Sequence, residues 1–304
     1  MSNPDDVRRK YTEEIRDALK ARFGITLSKR LIDAFANVSR EHFLGPGPWV
    51  IRGIKKNLRQ RFTCWLPGST SPDDWTTCDP AHLYHHDAIV AIDVDRGLNN
   101  GQPSALAAWM HFLELQEGDR VLHVGCGVGY YTAIMAEVVG PTGQVTGIEI
   151  DPQLASRASR NLRDLGQVKI VHGDGGDYTT GPTDAILVNA GTTHPRLSWL
   201  ENLKMGGRMM IPLTTEKGSG AVLKVKREPR GYNARFVITT QIFPCEGSRS
   251  DELSERLGDA FTRRNWRSIR SLRLEPHEST GSCWLHANEF CLSTLPLSEL
   301  RNST

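Results

Sequence analysis

The sequence predicts an α/β fold, a mostly parallel sheet covered by helices on both faces and finished by an antiparallel hairpin. Three observations carry this expectation. From about His82 onward, short apolar runs alternate with stretches of helical period. A glycine-rich turn, Val124-Gly125-Cys126-Gly127-Val128-Gly129, joins one such run to the helix after it. Further on, the alternating run Val222-Leu223-Lys224-Val225-Lys226, a turn at Pro229-Arg230-Gly231 and the run Phe236 to Ile242 read as a β-hairpin.

The elements follow in order. Tyr11, Ile15, Leu19 and Phe23 recur at spacing four, and Leu31, Ile32, Phe35 and Val38 keep helical spacing, so Val7 to Phe43 is expected to be helical until Gly45-Pro46-Gly47-Pro48 stops it. Trp49 to Thr77 shows no sustained period and is expected to be an irregular insertion or lid. Ala88 to Ile92 is a short strand and Ser104 to Leu115 a helix. Asp119 to Val124 and Gln144 to Ile150 are buried strands, with helices Gly129 to Val139 and Pro152 to Leu165 behind them. Val168 to His172, Asp184 to Val188 and Gly207 to Leu213 complete the parallel set, with a helix at Pro195 to Leu203. Beyond the hairpin, a helix from Asp251 to Arg263 and strands at Ile269 to Leu274 and Ser282 to Cys291 form a C-terminal appendage. The expected division is 1–79 for the N-terminal helices and insertion, 80–247 for the core, and 248–304 for the appendage.

The chain has 304 residues and a formal net charge of +2, which argues against a dedicated nucleic-acid binder. Basic residues gather between Arg8 and Arg61, a solvated face or a surface for an acidic partner. The polar N-terminus carries no secretory signal, and no apolar run approaches the ~20 residues that span a bilayer. The six cysteines are scattered and none forms a Cys-x-x-Cys, so neither a disulfide framework nor a structural metal site is expected, and a reducing cytoplasm is.

The chemistry gathers around the glycine turn. Gly125, Gly127 and Gly129 stand at a strand-to-helix junction, where a ligand can approach the backbone closely. Glu149 lies 24 residues after Gly125, at the end of the next strand, where a carboxylate can accept from a ribose diol. Gly173-Asp174-Gly175 follows the third strand, and Asp174 suits the exocyclic amine of an adenine. A dinucleotide fingerprint would place its third glycine one position later, where Tyr130 stands. The spacing therefore favours S-adenosylmethionine over a nicotinamide dinucleotide, which stays the weaker alternative.

These residues resemble the protein-L-isoaspartate O-methyltransferase family. The resemblance rests on Val121 to Ala133, Gly147-Ile148-Glu149, Gly173-Asp174-Gly175, Asp184 to Val188, Gly206-Gly207-Arg208 and Ile211-Pro212-Leu213. Weaker matches lie at Val38 to Phe43, Gly101-Gln102-Pro103 and Phe243 to Gly247. It implies a Rossmann-like class I methyltransferase sheet whose donor site comprises Gly125, Cys126, Gly127, Gly129, Tyr130, Glu149, Ile150, Asp174, Gly175 and Asn189. The sequence also departs from the family. Asn99-Asn100-Gly101 replaces the usual Thr-Ile-Ser before Gln-Pro, Asn189 to His194 replaces the loop after the fourth strand, and His123 replaces an acidic residue of the first core strand.

A kept donor site and a changed acceptor site lead to the expectation of a tailoring enzyme, one that O-, N- or C-methylates a peptide or amino-acid-derived natural product. Carboxylate O-methylation of isoaspartyl or aspartyl residues is the alternative, and a non-catalytic protein retaining the donor fold is a third reading. A carboxylate acceptor needs no general base, because it is ionised at neutral pH, whereas a phenol, amine or carbon acceptor profits from one. His194, in the loop after the fourth strand, is the candidate base or acceptor contact. Asn99, Asn100 and Gln102 are candidates to orient a polar acceptor, with a capped turn as the alternative. His85 and His86 are weaker candidates; Trp65, Trp75 and Tyr130 are possible apolar walls. The expected partner is a small molecule or peptide, with neither nucleic acid nor membrane nor metal.

Overall fold

The structure, a computed structural model, describes residues 3–52, 74–178, 180–263 and 265–300. Three helices open it: α1 (Pro4–Phe23), α2 (Lys29–Asn37) and α3 (Arg40–Leu44). Asn3 caps α1 through the Asp5 amide, and the spacing-four residues Tyr11, Ile15 and Leu19 form its buried stripe. The expected helical stretch is thus three helices, broken at Gly24 in a left-handed cap and again at Val38.

Next comes a small antiparallel sheet of four strands: β1 (Trp49–Arg52), β2 (Trp75–Thr77), β3 (Ile89–Asp93) and β4 (Leu98–Asn99), in the order β2-β1-β3-β4. This corrects the expectation for Trp49 to Thr77, whose two ends are strands paired through Trp49↔Thr77 and Ile51↔Trp75. Pairings only three residues long, between distant segments, leave no period to read. Residues 53–73, with Trp65 and Cys64 among them, lie outside the described residues. Cys78 is disulfide-bonded and the other described cysteines are free, against the expectation of reduced thiols throughout.

The core then runs α4 (Pro103–Leu113), β5 (Arg120–Val124), α5 (Tyr130–Val139), β6 (Gln144–Glu149), α6 (Pro152–Asn161), β7 (Val168–His172), β8 (Thr183–Val188), α7 (Leu197–Asn202), β9 (Leu203–Thr214), β10 (Ser219–Glu228) and β11 (Gly231–Gln241). Strands β7-β6-β5-β8-β9 are parallel, and β10 is antiparallel to both β9 and β11, as expected. Helix α6 stops at Asn161, whose side chain turns back to the Val128 carbonyl at 2.9 Å.

The C-terminal strands do not stand apart. After α8 (Asp251–Thr262), β12 (Ser271–Arg273), β13 (Cys283–His286) and β14 (Cys291–Ser293) extend the same sheet to ten strands through β11–β12 pairing. The run expected as one strand from Ser282 to Cys291 is two, folded back as β13 and β14.

Alternation along β5 and β8 divides the core. Val121, Ala185 and Leu187 join the N-terminal helices, α4 and α5 on one face. Leu122, Val124, Ile186 and Val188 join Trp199 of α7, α8 and the C-terminal strands on the other. Arg40 is fully buried between these N-terminal elements, donating to the carbonyls of Leu83 and Ala88 and lying 5.7 Å over the Tyr130 ring. It thereby fastens the helical segment to the entrance of β3. None of the described helices is long and apolar enough to cross a membrane.

Candidate active site

Strand β5 pairs with β6 on one side and β8 on the other, so connections leave it in both directions. Crevices of ligand size form outside the carboxyl ends of strands at such a switch point. Here a cavity of about 360 Å³ opens there, a volume typical of small-molecule sites (roughly 300–1,000 Å³).

The glycine turn forms its floor. Gly125 and Gly127 have φ of 74° and 55°, in the left-handed region. A Cβ on Gly127 would meet no atom within 4 Å, because that side of the turn is open space. Glu149, carried to the end of β6, accepts from the Gly127 amide at 2.7 Å and from the Asp151 amide at 3.1 Å. Burial raises its carboxyl above the ordinary range, while these amides pull the other way. The carboxylate is thus fixed at the wall with acceptor capacity left for a hydroxyl pair. Asp174, beyond β7, forms the other polar wall and accepts from the Gly176 amide at 2.8 Å. Two of the few exposed large hydrophobics, Ile150 at 41% and Phe243 at 43%, lie on this cavity. Apolar surface left in water beside two carboxylates suits a flat base attached to a sugar.

Eight of the expected residues line the cavity: Asn99, Gly125, Gly127, Glu149, Ile150, Asp174, Gly175 and Asn189. The others do not. Tyr130 is fully buried beneath the N-terminal helices, 3.4 Å from the Tyr11 hydroxyl, because α5 turns it away from the turn. Cys126 is buried with its sulfur beside Gly147, its thiol proton held tightly by burial. Gly129 serves packing: a Cβ there would stand 2.6 Å from Leu162, so its absence lets α5 and α6 meet.

The acceptor candidates are likewise divided. Gln102 donates its amide to Asp87, which also accepts from Ser104, so it tethers α4 to the segment before β3 and does not face the cavity. Asn99 accepts from the Gly101 amide at 2.8 Å and lies at the cavity, while Asn100 is buried with its side-chain nitrogen unpartnered. His194 bonds Thr193 through Nδ1 at 3.0 Å and stacks on Phe290, with ring centroids 6.2 Å apart; it is not on the cavity wall. Burial, then Arg196, lowers its pKa, which favours the neutral imidazole. The His85 and His86 rings lie tilted against each other with centroids 4.4 Å apart, and His86 faces Glu14 and Asp87. Trp75 is buried edge-on to His82.

Two contributors to the cavity had weak signals. Ile92, Arg96 and Leu98 arrive from β3, β4 and their turn, and Phe243 to Glu246 from the segment after β11. Arg96 pairs with Asp151 at 2.5 Å, joining the small sheet to the N-cap of α6 at the rim. The Phe-Pro segment after the hairpin was visible as a motif, and the structure explains it by the bonds between Gly191 and both Phe243 and Cys245.

A parallel sheet finished by an antiparallel hairpin, with a glycine turn and a strand-end carboxylate at its switch point, defines a class I methyltransferase fold. The profile of the family described as "Protein-L-isoaspartate(D-aspartate) O-methyltransferase" matches residues 74–243, and the chain belongs to that family. A protein-L-isoaspartate O-methyltransferase of Ignicoccus hospitalis is 36% identical over 167 residues, which are 54% of this chain and 78% of that protein. One of Methanopyrus kandleri is 32% identical over 218 residues, 70% of this chain and 81% of the relative. Among solved structures, a protein-L-isoaspartate O-methyltransferase superposes with a TM-score of 0.60 at 24% identity, covering 87% of this chain and 72% of its own. A Plasmodium falciparum protein assigned to the same enzymes, solved with S-adenosyl-L-homocysteine, gives 0.56 at 17% identity, covering 79% and 98%. These two likenesses bear on the fold.

Proposed function

We propose that the chain is an S-adenosylmethionine-dependent methyltransferase that esterifies a carboxylate of an aspartyl or isoaspartyl residue in a peptide or protein. The observation that carries the reading is the Glu149 carboxylate, held by the Gly127 and Asp151 amides on a cavity with Asp174 opposite, in a chain of this family. When bound, the donor supplies a methyl group on a sulfonium, open to in-line displacement. Glu149 accepts from the ribose hydroxyls, Asp174 from the adenine amine, and Ile150 and Phe243 cover the base. Gly125 and Gly127 let the donor lie against the turn. A carboxylate nucleophile is already ionised at neutral pH, which agrees with a cavity that no described histidine lines. Positioning by the fold then supplies what catalysis requires.

A second reading, a dedicated natural-product peptide as acceptor, draws on Gly101. Its φ of 70° strains any side chain there, and its Cβ position 3.2 Å from Leu106 crowds the serine usual at this place. Incubation with labelled S-adenosylmethionine and matched isoaspartyl, aspartyl and alanyl peptides tests both. Base-labile methyl ester on the first two supports carboxylate methylation. Base-stable label, or none on any peptide, counts against it.

A further inference from the structure

The C-terminal strands gather four residues that the donor site does not use. His277 precedes β13, Cys283 and His286 begin and end it, and Cys291 begins β14. One ligand atom from each lies within 4.8 Å of all the others. We propose that these four residues form a tetrahedral zinc site, a metal centre separate from the methyl-donor cavity.

The donor set is two thiols and two imidazoles, the combination that closed structural zinc sites use. Zn–S near 2.3 Å and Zn–N near 2.0–2.1 Å at tetrahedral angles put a sulfur and a nitrogen about 3.6 Å apart. Cys283 Sγ and His277 Nε2 are 3.6 Å apart. Both thiols are free. The surrounding bonds select the ligand atoms. His277 Nδ1 lies 2.9 Å from the Glu275 carbonyl, which can only accept, so Nδ1 carries the proton and Nε2 keeps its lone pair for the cluster. The Thr280 amide donates to Cys283 Sγ at 3.3 Å, a bond that supports a thiolate. His286 Nδ1 is buried and has no hydrogen-bond partner among the described residues. A buried nitrogen without a partner is costly unless something occupies it.

Binding is charge-balanced. Each thiol releases its proton to solvent, and the two thiolates cancel the charge of the cation. The adjacent guanidinium of Arg273 is already paired with Glu275 at 2.6 Å. The ion would close the irregular stretch between β12 and β13 onto the hairpin at the outer edge of the sheet. Phe290, next to Cys291, stacks on His194, so the same clamp fixes the loop after β8.

The test uses the full chain purified under reducing conditions. Elemental analysis is expected to find one zinc per chain, and replacement by cobalt(II) is expected to give the thiolate charge-transfer and tetrahedral absorption of a two-sulfur site. His277→Ala, which lies in a partly exposed stretch and disturbs little packing, and Cys283→Ser are both expected to lose these bands. Chelation is expected to lower the Tm of the wild type but not of His277→Ala. A reduced wild-type chain that shows no cobalt charge-transfer band overturns the proposal, as do bands that survive undiminished in both variants.

Discussion

Glu149 Oε2 accepts the Gly127 amide at 2.7 Å across the strand-end crevice, tying the acid of β6 to the glycine turn that follows β5. This bond makes one rigid rim from two elements that the chain separates by the whole of α5. It also sets up a trade. Burial raises the Glu149 carboxyl, so the ionised form is a cost to the folded chain, one that the proposed contact with the donor would recover.

Glu149→Gln keeps the shape and removes the charge. Hydrogen bonds to a charged group are worth about 1.5–3 kcal/mol, so affinity for S-adenosylhomocysteine by calorimetry is expected to fall about 10- to 100-fold. The unliganded variant is expected to keep its stability to within about 1 kcal/mol, because relief of a raised carboxyl offsets the one amide bond, of the two from Gly127 and Asp151, that the glutamine nitrogen cannot accept. The sign of the pH effect follows from the raised pKa. Glu149 favours the folded state below its unfolded value near 4.3, and this is lost as pH rises through the folded value. Donor affinity runs the other way and falls with acidification sooner than a solvent-exposed glutamate would cause. Wild-type affinity independent of pH down to the ordinary carboxylate range contradicts this.

Gly101 connects the changed acceptor motif to backbone geometry. A non-glycine residue in the left-handed region costs roughly 1–2 kcal/mol, and Leu106 crowds the Cβ position. Gly101→Ser is expected to lose about that much stability in denaturant titration without gaining isoaspartyl turnover, since the Asn99 side chain still holds the 101 amide. A stable variant with raised turnover would show that the hydroxyl alone separates this chain from its relatives.

The core elements were legible because each announces itself locally. Three-residue contexts around Gly125, Glu149 and Asp174, and the period of β5, α5 and β6, carry their own signal. What escaped depends on partners distant in the chain. The β1–β2 pairing, Gln102 turning to Asp87, and Tyr130 facing Tyr11 are settled by packing between segments. The histidine–cysteine cluster escaped because a search for paired cysteines passes over Cys283-Trp284-Leu285-His286, where a histidine stands in the second place.

His123 gives a pH prediction of its own. It is fully buried in β5 with Nδ1 2.9 Å from Thr132 Oγ1, and burial lowers its pKa to about 3. Unfolding restores a value near 6.5, so between these values the unfolded chain holds the extra proton. Stability is therefore full above about 6.5 and falls as pH drops, by up to about 1.4 kcal/mol per pH unit from this one group. His123→Gln is expected to flatten that slope between about pH 4 and 6 by close to one proton's worth, whatever its stability at neutral pH. An unchanged slope would mean that the imidazole is solvated or protonated in the folded chain.

Gly247 tests whether the segment after β11 sets the position of Asp174, the proposed adenine contact. Its φ is 78°, and a Cβ there would stand 2.1 Å from Asp174 Oδ2 and 3.0 Å from Oδ1. Gly247→Ala must therefore push the Asp174 carboxylate off its position, although residue 247 does not itself line the cavity. Affinity for S-adenosylhomocysteine is expected to fall about tenfold, near the 1.4 kcal/mol that a displaced hydrogen bond is worth. Asp174→Ala is expected to cost at least as much. In the double variant the Cβ has no carboxylate to displace, so Gly247→Ala should add little to the loss already caused by Asp174→Ala. Residues in direct contact show such non-additivity, whereas independent sites add. Fully additive losses would place the effect of Gly247 in the backbone alone and separate this segment from the adenine contact.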